Sequence, residues 1–144
     1  MGHSIKEILT GTAKIDPGEF SAQTSSSRVA SLGYALAGCG YMLRRQKNTR
    51  IQAAATLVVA GLAGWLRIGR TDWALLVLMM TLVWLAEFLN AAIEATINLI
   101  APEFHPMAKV GKDVAAAAVL LSVIASVVIG LLVLGPPLLE RFGG

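Results

Sequence analysis

Apolar residues follow two patterns along this chain. Between residues 28 and 48, Val29, Leu32, Leu36, Cys39 or Gly40, and Leu43 recur every three or four positions among small and polar neighbours, the period of an amphipathic helix. The basic end of that stretch, "LRRQKNTR", suits anionic headgroups, so the helix is expected to lie on a membrane surface. Beyond it the apolar residues become nearly continuous. Residues 51–66, "IQAAATLVVAGLAGWL", are followed by a tight polar turn, "RIGRTD", and then by apolar runs at 73–100 and 114–134, the last stopped by "GPP". As helices these segments are ~24, ~42 and ~31 Å long. Against a hydrocarbon layer about 30 Å thick, the first needs help from its flanks, the second projects at one end and the third matches. The pattern predicts an all-α integral membrane protein with three transmembrane helices and an N-terminal amphipathic surface helix. Residues 28–144 form the membrane domain, and residues 1–27 form a polar, mobile extension without the apolar run of a signal peptide. No soluble domain, linker or internal repeat interrupts the plan.

Composition agrees and narrows the chemistry. Of the 144 residues, 56% are hydrophobic and 15% charged, and the mean hydropathy is +0.68, values of a membrane protein. Cys39 is the single cysteine, which excludes an intrachain disulfide and a cysteine-built metal cluster and leaves it as a small packing residue. Lys6, Lys14, Arg28, Arg44, Arg45, Lys47 and Arg50 precede the first span and Lys109 and Lys112 lie between the second and third, whereas Arg67, Arg70 and Arg141 fall on the other side. By the positive-inside rule the N-terminus and the "PEFHPMAKVGKD" loop face the cytoplasm. Trp65, Trp73 and Trp84 read as interfacial or lipid-facing anchors.

Against this background Glu87, Asn90 and Glu94 stand out. With Trp73 at the outer interface they lie ~21, ~25 and ~31 Å further in, and their spacings of three, four and seven place them on one helical face. An ionisable residue at bilayer depth costs a few kcal/mol and marks a functional site or a buried ion pair. Lys112 and Asp113 open the third span at the same membrane level, so the polar groups converge where a lipid headgroup meets a soluble cosubstrate. Three uses fit the spacing. Phosphoryl transfer needs carboxylates for Mg²⁺, a cation near the phosphates and a base for the attacking hydroxyl. A proton or cation pathway through a small oligomeric channel or carrier uses the same carboxylates, and a structural pair between Glu87 or Glu94 and Lys112 would fix helix packing.

The order of residues goes further than their spacing. "AEFLNAAIEATINLIAPEFHPMAKVGKDVAAAAVLL" carries E-x-x-N-x-x-x-E, a short loop with E-[FY]-H, and K-D opening an alanine-rich helix. It resembles the core of the small integral-membrane prokaryotic diacylglycerol kinases, a family that includes the undecaprenol kinases. The likeness extends through "GYALAG" and "NTRIQ" and covers about residues 28–137.

The resemblance implies a homotrimer with active sites shared between subunits, working on ATP and Mg²⁺ although the chain has no G-x-x-x-x-G-K-[ST] loop. By motif position it implies that Glu87 is the base for the lipid hydroxyl, supported by Asn90, and that Glu94 is a Mg²⁺ ligand. Glu103, Phe104 and His105 match the nucleotide-contacting loop, Lys112 and Asp113 the pair that holds phosphates and ribose, and Tyr34 a nucleotide-side position. Asn48, Thr49, Arg50, Ile51 and Gln52 fall in the lipid-side stretch. Gln46 departs from the pattern, because many members carry a glutamate metal ligand there; an amide oxygen ligates Mg²⁺ without adding charge and holds it more weakly. The implied reaction is transfer of the ATP γ-phosphate to a lipid alcohol at the inner face of a prokaryotic cytoplasmic membrane, with no nucleic-acid partner. "EFHPMAKVGKDVAAAAVLL" looks closer to the undecaprenol kinases, which favours undecaprenol over diacylglycerol as the acceptor.

Overall fold

A computed structural model describes residues 27–143. These form four helices, α1 (Arg28–Arg45), α2 (Lys47–Leu66), α3 (Arg70–Ile100) and α4 (Pro106–Phe142). α2, α3 and α4 are each long and apolar enough to cross a membrane. All but the last residue of the expected N-terminal extension, 1–27, lies outside the described residues.

Two compact units divide the chain between Gly40 and Tyr41. In the first, Val29, Leu32 and Leu36 of α1 are all exposed, so the apolar stripe read from the sequence is not covered by its own unit. The second unit contains the end of α1 and the three long helices. One extended residue, Gln46 at φ −93° and ψ 118°, separates α1 from α2. Its N–H still donates to the Met42 carbonyl at 3.0 Å and its carbonyl accepts from Arg50 N–H at 3.4 Å, so backbone bonding continues across the break. The helix expected over residues 28–48 therefore ends at Arg45, and α2 starts at Lys47, a turn before the apolar run.

α2 ends at Arg67, which takes the left-handed conformation (φ 52°, ψ 45°). Its N–H donates to Gly64 O at 3.2 Å and that of Ile68 to Ala63 O at 3.4 Å, satisfying carbonyls that the helix end would otherwise orphan. The return to α3 takes only Arg67, Ile68 and Gly69.

The third long helix departs most from expectation. It begins at Pro106 rather than near Val114, so Lys112 and Asp113 sit about two turns inside it. His105 is its N-cap, with Nδ1 accepting from Met107 N–H at 3.2 Å, and Pro106 occupies the first position, where its missing N–H costs nothing. The helix also continues through Gly135, Pro136 and Pro137 to Phe142. Two bonds, to the carbonyls four residues earlier, are lost there. The Arg141 guanidinium lies 4.8 Å from the Trp65 ring centroid and the Phe142 ring 6.0 Å away, tying the end of α4 to the end of α2.

The small core sits at this end, where Ala63 and Leu66 of α2, Leu76 of α3, and Val133 and Leu134 of α4 are buried together. α3 and α4 pack closely along their length, and α2 touches them more sparsely. At the opposite end Gly111 permits the close approach, since a Cβ there would lie 3.0 Å from Ile97 Cδ1. Most large apolar side chains instead face outward, Leu57 and Leu121 among them, the inside-out distribution of a chain whose solvent is lipid.

Candidate active site

Because α2 touches its neighbours sparsely, a groove of about 640 Å³ runs between α2, α3 and α4. Its walls are almost entirely apolar, with Met80 and Val83 on α3 and Val127 and Leu131 on α4. The polar exceptions on α2 and α3 are Asn48, Gln52, Thr56 and Glu87. Glu87 is 4% exposed, and no described side chain bonds or pairs with it. Burying a lone carboxylate in an apolar wall is costly, and such groups persist where they serve a function.

Of the stretch expected on the lipid side, Asn48, Ile51 and Gln52 line the same groove as Glu87. Thr49 lies beside them, fully buried, and Arg50 is exposed outside the groove. Thr49 Oγ1 and Gln52 Nε2 are buried and lack hydrogen-bond partners among the described residues. Buried polar groups are nearly always satisfied. Thr49, Gln52 and Thr56 are three and four residues apart and so share one face of α2.

The second cluster lies further along α3. Asn90 is half-buried and Glu94 exposed, with no described partner. Four residues on, Asn98 accepts a hydrogen bond from Lys112 Nζ at 2.6 Å, joining α3 to α4. Asp113 pairs with Lys109 one turn earlier on α4. Glu103, Phe104 and His105 are exposed in the α3–α4 connection, where His105 also caps α4. Gln46 is half-buried at the break before α2. Tyr34, in the first unit, is exposed. No group of three or more His, Cys, Asp or Glu side chains able to hold a metal occurs among the described residues.

Asn98 and the Thr56–Trp84 bond described below are parts of the arrangement that the sequence reading did not single out. Asn98 had a signal, since it continues the face of Glu87, Asn90 and Glu94 at the same spacing. Trp84 read as an anchor, yet its Nε1 donates to Thr56 Oγ1 of α2 at 3.1 Å.

The sequence profile of prokaryotic diacylglycerol kinase matches residues 33–134. The chain belongs to the prokaryotic diacylglycerol kinase family. It is 38% identical over 119 residues to a diacylglycerol kinase of Synechocystis, covering 82% of this chain and 68% of that one. It is 36% identical over 95 residues to the undecaprenol kinase of Bacillus subtilis, covering 66% and 77%. With the diacylglycerol kinase of Escherichia coli it shares 31% identity over 100 residues, covering 69% and 82%. As a member of the prokaryotic diacylglycerol kinase family the chain is an integral membrane lipid kinase, and its reaction draws on a nucleotide phosphate donor.

Proposed function

We propose that the chain transfers the γ-phosphate of ATP to the hydroxyl of a membrane lipid alcohol at the cytoplasmic face of the inner membrane. The carrying observation is Glu87, buried at 4% exposure in the wall of an apolar groove that also presents Asn48 and Gln52. In this reading the apolar tail occupies the groove and the hydroxyl comes within hydrogen-bond reach of Glu87. The carboxylate takes the hydroxyl proton as the oxygen attacks the γ-phosphorus, and ADP departs. Asn90, one turn on, supports Glu87. Lys112, held by Asn98, offsets charge on the phosphates, and Glu103, Phe104, His105 and Asp113 form the nucleotide side; a nucleotide contact by Tyr34 rests on its motif position alone.

Mg²⁺ prefers a few carboxylate or amide oxygens plus substrate phosphates and water over an all-protein cage. An exposed carboxylate, Glu94, and the half-buried amide of Gln46 suit that preference. These two residues would hold the ion, which neutralises charge on the phosphates when bound. Assembly as a homotrimer with shared sites belongs to the same reading through the family likeness, and a membrane-surface position for α1 is supported by the exposed stripe of Val29, Leu32 and Leu36. Undecaprenol is favoured as acceptor by the likeness of "EFHPMAKVGKDVAAAAVLL" to undecaprenol kinases; diacylglycerol is the alternative.

The test is ATP-dependent phosphate transfer by purified protein in mixed micelles, with undecaprenol and diacylglycerol supplied separately and Mg²⁺ varied. The expected result is Mg²⁺-dependent phosphorylation, faster on undecaprenol. Faster transfer to diacylglycerol would reverse the substrate order. No transfer to either lipid by fully helical protein would contradict the reading.

A further inference from the structure

α2 is the wall of the groove with the fewest contacts, so its position depends on few interactions. At one end it is fixed by Ala63 and Leu66 in the core. Beside the groove, which Thr56 lines, the only side-chain hydrogen bond from α2 to either neighbouring helix, among the described residues, is the one between Thr56 Oγ1 and Trp84 Nε1 at 3.1 Å. The bond therefore crosses from α2 to α3 one turn from Gln52 and three residues from Glu87, both of which line the groove. Trp84 is itself held by Phe88, whose ring lies 6.1 Å away at 48°. In a water-poor setting, breaking the bond leaves an indole N–H and a hydroxyl unpaired, and such groups cost free energy until something else satisfies them.

We propose that Thr56 and Trp84 are positioning residues: their hydrogen bond holds α2 at a fixed distance from α3 and so sets the groove width in which the lipid acceptor sits beside Glu87. The inference rests on the lipid-groove reading above. Neither residue touches the reacting atoms, so the bond governs how well the acceptor is held and leaves the phosphoryl-transfer step alone. Uniform loss of acceptor binding raises KM for the lipid at unchanged kcat.

Three variants test this: Thr56→Val, which keeps the shape and removes the acceptor oxygen; Trp84→Phe, which removes the donor; and Thr56→Ser, which keeps the bond. An interhelical hydrogen bond in a membrane is worth ~0.6 kcal/mol on average, or about threefold. The first two variants should raise KM for the lipid alcohol about threefold or more, leave kcat and KM for ATP within about twofold, and give no further loss when combined. Thr56→Ser should match the parent. An unchanged lipid KM in Thr56→Val, an equal rise in both KM values, or failure of the serine to rescue would overturn the proposal. A readout without activity is the distance between nitroxides at Leu57→Cys on α2 and Leu85→Cys on α3, both exposed positions. It is measured in a Cys39→Ser background with labelled chains diluted by unlabelled ones. Thr56→Val should lengthen or broaden that distance and Thr56→Ser should not; an unchanged distribution overturns the proposal. If the parent phosphorylates no lipid alcohol, the lipid-kinase reading of the groove fails, and the label distance alone decides whether the pair positions α2.

Discussion

At the residue scale the site is built from groups that are expensive where they lie. Glu87 is a carboxylate in an apolar wall, and Gln52 and Thr49 each keep a buried atom without a partner among the described residues; none of these is what packing alone would select. Glu87 was legible in the sequence because an acidic residue inside an apolar run breaks the pattern. Asn98 was harder to see, since asparagine near a helix end is unremarkable until Lys112 is found bonded to it across two helices. Removing that acceptor frees the lysine, and hydrogen bonds to charged groups are worth ~1.5–3 kcal/mol when shielded, less at an exposed position. Asn98→Ala should therefore raise KM for ATP by about fivefold and Asn98→Asp should not, as steady-state kinetics with varied ATP will show. Gln46 gives a prediction of opposite sign. Gln46→Glu adds a charge to the proposed metal donors and should lower the Mg²⁺ concentration needed for half-maximal turnover, while Glu94→Ala should raise it. A Mg²⁺ titration that moves with neither variant removes both residues from the metal site.

Helix boundaries show what periodicity can and cannot see. The three long helices were legible because apolar runs of this length have few other uses, and the turn at Arg67 follows a polar interruption; the break at Gln46 was not, since it falls inside the stretch that reads as one surface helix. The start of α4 was misplaced because Lys109, Lys112 and Asp113 keep the continuous apolar run from beginning before Val114; the His105–Pro106 pair, a cap followed by proline at the first position, was the better signal. Its end was misplaced because Gly135–Pro136–Pro137 reads as a stop, whereas a helix beside other helices in lipid tolerates proline. Packing of α3 on α4 was not legible at all, since a lone sequence does not say which faces meet. It depends at one level on Gly111, whose Cβ position lies 3.0 Å from Ile97 Cδ1. Gly111→Val should overpack the contact and destabilise by about 1–3 kcal/mol, read as a lowered thermal midpoint in detergent. Shortening the opposing chain with Ile97→Val should recover part of the loss.

For the molecule as a whole, the groove and the outer surface belong to one solution of the same problem. A small core at one end holds the three long helices together, and α2 touches the other two sparsely enough to leave a groove open to a long apolar ligand. The polar cluster past Glu87 lies beyond the groove, with Glu94 and Asn98 on α3 and Lys112 on α4. If sites are shared within a homotrimer, chains carrying Glu87→Gln and chains carrying Lys112→Ala, each inactive alone, should regain measurable turnover when co-assembled; no recovery would confine each site to one chain. The central claim remains that Glu87 is the base acting on an acceptor held in the groove. It is tested most directly by comparing Glu87→Gln with the parent for lipid phosphorylation and for ATP binding. A near-isosteric amide keeps the groove but cannot take the hydroxyl proton, so turnover should fall by about 10²–10⁴-fold with helicity and ATP affinity preserved. Turnover near the parental rate would contradict the account, because the buried carboxylate would then have no part in the chemistry.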